Sequence, residues 1–165
     1  MKIHTWKGGA VGYPVGADMP GAINFAKGAA KAFNAATRGG VNAETAINVW
    51  CRGSSGAILA ALFIGHIKRT LHVNVCHIKK SGEESHRTNP DVWRQSGSIN
   101  KVINIIIDDF ISSGSTMQQI WKGIQPVYLN PPTIDFVIAN NLTNFEDYEW
   151  GKWLGFEPSA LITNN

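Results

Sequence analysis

Apolar runs alternate with helical patterns along the first two thirds of the chain. Ala46–Cys51 is a predicted strand, and Leu71–Ile78 is a second because its first residues alternate between apolar and polar types. Val102–Ile107 is β-branched and continuously apolar, which is typical of a strand buried on both faces. Ala22–Arg38 has apolar residues at helical spacing, and Ala57–Arg69 ends in basic residues, so both segments are predicted helices.

The remaining segments are shorter or less regular. Thr116–Gly123 is a predicted helix, and two short strands are predicted at Pro126–Leu129 and Thr133–Ile138. Lys79–Asn100 is polar, contains Gly and Pro, and shows no periodicity. A long segment without regular structure is uncommon in a compact domain and is usually functional where it occurs.

This order of elements predicts the fold class. Strands that alternate with helices favour an α/β protein with a mostly parallel, Rossmann-like sheet flanked by helices, and 165 residues suit one domain. In such sheets ligands bind beyond the carboxyl ends of the strands. Three unusual loops are expected there, at residues 52–56, 79–100 and 108–116.

Composition and charge limit the partners and the cellular location that this protein is expected to have. Charged residues make up only 16% of the chain, but residues 1–82 carry an excess of eight positive charges and residues 83–165 an excess of five negative charges. The basic half indicates an anionic partner, either nucleic acid or phosphate. No apolar run is long enough to span a bilayer, and Met1–Ala10 lacks the apolar stretch of a secretory signal. Cys51 and Cys76 are expected to be buried, reduced thiols, so a cytoplasmic protein without a membrane partner is predicted.

The segment Ile105–Thr116 carries the clearest chemistry. A buried strand ends in Asp108 and Asp109, and a turn of serines and Gly114 then leads into a helix. The hydroxyls, the close backbone approach at glycine and the helix N-terminus together suit a phosphate group. The two acids would repel that phosphate, so they suit sugar hydroxyls or a magnesium ion. A ribose 5-phosphate satisfies both requirements.

Ile105–Thr116 resembles the 5-phosphoribosyl-1-pyrophosphate (PRPP) binding motif of type I phosphoribosyltransferases. Val49–Gly56 is similar to the pyrophosphate loop of that family, and Lys79-Lys80 with the following loop resembles its mobile catalytic loop. The resemblance covers about residues 45–140. It implies the type I phosphoribosyltransferase fold, with a core of about residues 41–140 and a small hood over the nucleobase from about residues 1–20 and 141–165.

The resemblance also implies roles for individual residues. Asp108 and Asp109 would be catalytic, holding the ribose hydroxyls directly or through water bound to a Mg²⁺ cofactor. Lys80 would be the third catalytic residue and would close onto the pyrophosphate. The remaining substrate-binding residues would hold the pyrophosphate or the 5-phosphate: Arg52, Gly53, Ser54, Lys79 and Arg87 for the former, and Ser112, Ser113, Gly114, Ser115 and Thr116 for the latter.

The implied activity is transfer of 5-phosphoribosyl from PRPP to a nucleobase or related nitrogen acceptor, with release of pyrophosphate. Small-molecule substrates are therefore expected, nucleic acid is not, and a homodimer is one expectation for assembly. Ser112 replaces the acid that commonly serves 6-oxopurine bases, and Thr133–Asn140 lacks the expected lysine, so the acceptor stays open. Trp150 and Trp153 are expected either to close the core or to stack on the base. A catalytically silent PRPP-binding regulator and a relative that uses water or ammonia remain alternatives.

Overall fold

The computed structural model describes residues 1–8, 11–67, 72–83, 90–140 and 150–164. These residues contain strands and helices in alternation. The strands, in chain order, are β1 (Lys2–Trp6), β2 (Thr45–Arg52), β3 (His72–Ile78), β4 (Lys101–Phe110), β5 (Phe136–Asn140) and β6 (Ala160–Asn164). The helices are α1 (Met19–Ala36), α2 (Gly53–Ile64), α3 (Ser115–Ile124) and α4 (Trp150–Leu154), with short 3₁₀ turns at Val15–Ala17 and Gln125–Val127.

The strands form one six-stranded sheet in the order β1-β6-β5-β4-β2-β3, and every neighbouring pair is parallel. Because all strands run the same way, their carboxyl ends meet at one edge of the sheet. The strand order reverses direction between β2 and β4, where the chain from β2 goes outward to β3 and then returns to β4. A crevice at such a reversal is the usual ligand site of an open parallel sheet.

Helices cover both faces of the sheet, and each face has its own core. On one face, α1 and α2 pack with Ile103, Ile105 and Ile107 of β4. On the other, α3 and the residues around Trp150 pack with Ile106. Strand β4 therefore buries consecutive side chains on both faces, which explains its unbroken apolar sequence.

Buried amides tie the long connection between β3 and β4 to the sheet. Asn48 and Asn104 are register partners in the buried sheet interior, and the Asn48 amide donates to Asn104 Oδ1 at 3.2 Å. The same Asn48 side chain accepts from the Trp93 amide at 2.8 Å and donates to the Trp93 carbonyl at 3.0 Å. These bonds fix the described residues around Trp93 against the sheet.

The α/β class and the parallel sheet flanked by helices are confirmed. Several bounds differ from the sequence prediction, among them β5, which covers Phe136–Asn140 rather than Thr133–Ile138. Helix α2 begins at Gly53 rather than Ala57, β4 continues through the acidic pair to Phe110, and the predicted strand Pro126–Leu129 is instead a 3₁₀ turn. Pro126 has no amide hydrogen for a strand ladder, whereas its fixed φ suits the first turn of a helix.

The chain ends add two strands that the sequence analysis did not predict. Lys2–Trp6 and Ala160–Asn164 pair with each other in parallel and extend the sheet beyond β5. These segments therefore lie in the sheet, whereas the sequence analysis assigned them to a hood. Residues 141–149 lie outside the described residues, so the rest of the predicted hood stays a prediction. No described helix has the length and apolar character needed to cross a membrane.

Helix α1 lies close to β1 because it carries a glycine at the contact. A Cβ placed on Gly28 would overlap the indole ring of Trp6, which is buried and stacks edge-on against Phe25 at 5.2 Å. An alanine in mid-helix ordinarily stabilises a helix relative to glycine. At Gly28 the overlap outweighs that gain, because the ring is enclosed by core residues and cannot move without strain.

We expect Gly28→Ala to lower the melting temperature by about 3–8 °C, from an overpacking cost of about 1–3 kcal/mol. Gly151→Ala is the matched control, since α4 also holds this glycine in a helix and nothing lies within 4 Å of an added Cβ. Thermal unfolding followed by circular dichroism compares the two variants. Equal melting temperatures for both would contradict the close contact between α1 and β1.

Candidate active site

A cavity of about 350 Å³ opens at the carboxyl edge of the sheet, beside the strand-order reversal. Its wall combines the ends of β2 and β4, the first turns of α2 and α3, and the start of the long connection after β3. The residues that line it are Tyr13, Pro14, Arg52, Gly53, Ser54, Ser55, Lys80, Asp108, Asp109, Phe110, Ile111, Ser112, Ser113, Gly114, Ser115, Thr116 and Met117.

The acidic pair lies at the end of β4, where the strand reaches the cavity. Asp108 and Asp109 are both buried, with 6% and 9% of their surface exposed. Each carboxylate accepts a hydrogen bond from the backbone N–H of the next residue. Asp109 N–H donates to Asp108 Oδ1 at 3.0 Å, and Phe110 N–H donates to Asp109 Oδ1 at 2.8 Å. The register between β4 and β5 also shifts between Ile107 and Phe110, which marks a local irregularity at this point of the ladder.

Burial, the largest cause, and the neighbouring Asp109 carboxylate together raise the pKa of Asp108 to about 8, although the Asp109 backbone amide and the Lys80 charge lower it. The described protein groups therefore do not fully compensate negative charge at this position. Cys51 is also close to Asp108, and burial raises the pKa of its thiol to about 12. The thiol is thus protonated at neutral pH and is a poor nucleophile.

The turn after β4 leads directly into α3 and presents its N-terminus to the cavity. Gly114 has φ +79° at the residue before the helix, a left-handed conformation that glycine adopts without strain. Ser112–Thr116 all line the cavity. The first amides of a helix lack intrahelical acceptors and carry the positive end of its dipole, so this turn is suited to bind an anion.

A second helix N-terminus faces the same cavity. Helix α2 starts at Gly53 immediately after Arg52, and Arg52, Gly53, Ser54 and Ser55 all contribute to the wall. Gly53 has φ +70°, and a Cβ on it would meet the Lys80 side chain, with Cε at 2.6 Å and Nζ at 2.8 Å. The absent side chain therefore leaves room for the Lys80 ammonium group over the start of α2.

Two aromatic residues stand at the rim. Tyr13 is 82% exposed and Phe110 is 48% exposed, although both line the cavity. Large exposed apolar side chains at a cavity rim are typical of ligand contacts. Tyr13 and Pro14 were missed by sequence analysis, because only the folded chain brings the segment before α1 to the carboxyl edge of β4.

Most of the predicted site residues come together. Asp108, Asp109, Lys80, Arg52, Gly53, Ser54 and the whole turn Ser112–Thr116 line one cavity. Lys79 was predicted to bind substrate but does not line this cavity, since neighbouring residues of an extended chain point to opposite sides. Arg87 lies outside the described residues. Trp150 is 3% exposed and belongs to the core with Trp121 and Phe156, which supports its packing role.

The described residues contain no cluster of three or more His, Cys, Asp or Glu side chains able to hold a metal by themselves. The acidic pair supplies two adjacent carboxyl groups in an open cavity. Mg²⁺ commonly binds through one or two carboxylates together with water and substrate oxygens. The donor set therefore fits a magnesium ion that arrives with an anionic substrate.

Comparisons with known proteins give limited similarity. No family model and no curated protein matches the chain. Among solved structures, a hypoxanthine-guanine phosphoribosyltransferase from Bacillus anthracis is 20% identical, with a TM-score of 0.46 over 86% of this chain and 77% of that one. The hypoxanthine-guanine phosphoribosyl transferase of L. donovani is 13% identical, with a TM-score of 0.46 over 87% and 82%. At these values, activity has to be inferred from the residues of the site.

The buried acidic pair predicts an unusual pH dependence of stability. The unfolded chain loses the Asp108 proton near its ordinary pKa of about 4, whereas the native protein keeps it to about pH 8. Between these values the native state binds more protons than the unfolded state, so its stability falls as pH rises, by up to about 1.4 kcal/mol per pH unit.

We therefore expect Asp108→Asn to be more stable than the parent at pH 8 in the presence of EDTA, with a smaller difference at pH 5. Denaturant unfolding at several pH values gives the free energies of unfolding. Glu157→Gln, which neutralises an exposed carboxylate, is the control and should follow the parent curve. The prediction fails if Asp108→Asn shows the same pH slope as the parent.

Proposed function

We propose that this protein is a magnesium-dependent phosphoribosyltransferase, which moves 5-phosphoribosyl from PRPP to a nucleobase or related nitrogen acceptor. One observation carries the proposal. The N-termini of α2 and α3, the Lys80 ammonium group and the buried acidic pair all face one cavity of about 350 Å³.

Two helix N-termini suited to anions and a pair of acids in one cavity match the groups that PRPP carries. The turn Ser112–Thr116 suits the 5-phosphate, since hydroxyls and the amides of α3 converge there. The start of α2 with Arg52 and Lys80 suits the pyrophosphate. Asp108 and Asp109 would accept hydrogen bonds from the ribose hydroxyls, which a phosphate at the same position would not offer.

In the proposed reaction, the bond from the anomeric carbon to the pyrophosphate oxygen breaks and a bond to the acceptor nitrogen forms. The pyrophosphate leaves with the electron pair, and the acceptor nitrogen gives up its proton. Negative charge grows on the leaving group, so Lys80, Arg52 and the amides of α2 would stabilise the transition state more than the ground state. The acidic pair would orient the ribose.

A magnesium ion held by Asp108 and Asp109 would supply further charge neutralisation for the pyrophosphate. The raised pKa of Asp108 supports this part of the proposal, because burial disfavours the charged carboxylate and a divalent cation would stabilise that form. The acceptor itself stays open. Ser112 lines the cavity where relatives of the resembled family commonly carry an acid for 6-oxopurines.

Apart from the acidic pair, the titratable side chains on the described cavity wall are Tyr13, Arg52 and Lys80. None of these is an evident general base for the acceptor. This observation favours one alternative, a PRPP-binding regulator that does not turn over its ligand.

Pyrophosphate release from PRPP over a panel of purine and pyrimidine bases, with magnesium or with EDTA, tests the proposal. We expect release with at least one base and only with magnesium. Calorimetric titration with PRPP distinguishes the alternative, since tight binding without release from any base indicates a regulator. A protein that neither binds nor converts PRPP would contradict both functions.

The adjacent lysines provide a matched pair of variants. Lys80→Met should lower kcat/KM by about 100-fold or more, because it removes a cation that would meet the leaving group. Lys79→Met should have a much smaller effect, since Lys79 does not line the cavity. Steady-state kinetics with a base that supports pyrophosphate release gives kcat/KM for both variants. Equal losses of kcat/KM in the two variants would contradict the assignment of Lys80.

The double variant Asp108→Asn with Asp109→Asn should abolish turnover while its melting temperature at pH 8 is maintained or raised. Both effects have one cause. The two carboxylates are buried where they would bind the ligand, and their burial lowers the free energy of unfolding. Melting curves and pyrophosphate release are measured on the same preparation. Near-normal turnover would refute the assignment of the site.

A further inference from the structure

A second cavity, of about 380 Å³, lies at the opposite edge of the sheet from the candidate active site. It is formed by the amino ends of β1, β4, β5 and β6 below the C-terminal end of α1, and it shares no lining residue with the first cavity. The second cavity is therefore separate from the site of the proposed function, and it can bind a ligand whether or not that function holds.

The floor of the second cavity is apolar. Phe136, Ile103 and Ala160 line it from three neighbouring strands. Phe136 is held edge-on by Phe33 of α1, with ring centroids 5.2 Å apart. The cavity exists because α1 ends at Ala36 and the small side chain of Ala160 leaves the space beside Phe136 unfilled.

The rim of the second cavity is cationic. Lys2 begins β1, Arg38 follows α1 and Lys101 begins β4, so the three cations come from separate elements. His4 lies on the same face of β1 as Lys2, because side chains alternate along a strand.

One carboxylate, Asp135, also lines the cavity, but it is already engaged. Asp135 Oδ2 accepts a hydrogen bond from the backbone N–H of Asn104 at 2.8 Å. Burial raises the pKa of Asp135, while this hydrogen bond and the Lys101 charge lower it. Lys101 Nζ also donates to the Gly40 carbonyl at 3.3 Å. Within the described part of the chain, Lys2 and Arg38 have no carboxylate partner. The cavity thus keeps an excess of two positive charges.

Cations near Gly40 also offset the negative end of the α1 dipole. That role does not account for Lys2, which belongs to the edge strand, nor for the apolar space between the cations. A concave apolar floor with a few polar groups at its rim is the usual form of a small-molecule site, and its volume falls in the range of such sites.

We propose that the second cavity binds a phosphorylated small molecule with a flat apolar part. The phosphate would meet Arg38 and Lys101, and the apolar part would lie on Phe136 beside Ala160, toward Lys2. Nucleoside monophosphates belong to this class. A ligand here would contact β4 at its amino end, whereas the acidic pair lies at its carboxyl end.

Backbone amide spectra of the ¹⁵N-labelled protein test the proposal, because they report the two cavities separately. Titration with adenosine 5′-monophosphate should give saturating shifts at Thr37, Gly40 and Ser159, in addition to any shifts at Ser113–Thr116. Adenosine should bind the second cavity more weakly, since it lacks the phosphate. Unsaturable shifts that vanish with added salt would indicate general charge attraction and overturn the proposal.

The double variant Arg38→Gln with Lys101→Gln should weaken the response at Thr37, Gly40 and Ser159 by about five-fold or more, the loss expected from removing two exposed charge contacts. The response at Ser113–Thr116 should not change. Lys27→Gln with Lys31→Gln removes two charges from the exposed face of α1 and is the control. Equal binding of adenosine and its 5′-monophosphate, or equal losses in the two double variants, would contradict the proposal.

Discussion

Two adjacent carboxyl groups are held almost out of water at the end of the central strand, and much of the molecule is arranged around them. Burying one carboxylate is costly, and burying two side by side is costlier because their charges repel. Asp108 and Asp109 reach this position only because β4 is paired on both sides and covered on both faces. Such an arrangement lowers stability near pH 8 unless a cation or a ligand compensates the charge.

The groups around the acidic pair supply part of that compensation, and they come from several parts of the chain. Parallel strands place the start of α2 and the start of α3 on the same edge, so two helix N-termini face one cavity. Gly53 lets Lys80 lie over the first turn of α2. The cavity therefore combines two helix N-termini and a lysine with the acidic pair, a set of groups that suits a sugar carrying phosphate groups.

The two ends of the sheet differ in chemistry for a related reason. At the carboxyl edge, helices begin and their first amides lack intrahelical acceptors, so the backbone would supply much of the binding to an anion. At the amino edge, α1 ends, its carbonyl groups repel anions, and cationic side chains must do the binding. Lys2, Arg38 and Lys101 meet this requirement at the second cavity, above an apolar floor centred on Phe136.

Local pattern was sufficient to identify the central part of the fold. The continuous apolar run of β4 requires burial on both faces, and the acidic pair followed by the Ser112–Thr116 turn marks the strand end and the anion site. Boundaries were less predictable. Arg52–Gly56 has the composition of a loop, yet the helix begins at Gly53, and the residues of its first turn line the cavity.

The residues of the acidic and serine-rich turn were therefore predictable from neighbours within about ten positions. The α/β class and the parallel sheet followed from the alternation of strands and helices along the chain. Which other residues join the turn depends on the folded chain. Tyr13 reaches the cavity from more than ninety positions away, Lys80 lines the cavity while Lys79 does not, and the chain ends become strands β1 and β6. These outcomes depend on strand order and on the direction of each side chain, which are set by packing between distant segments and leave no local pattern.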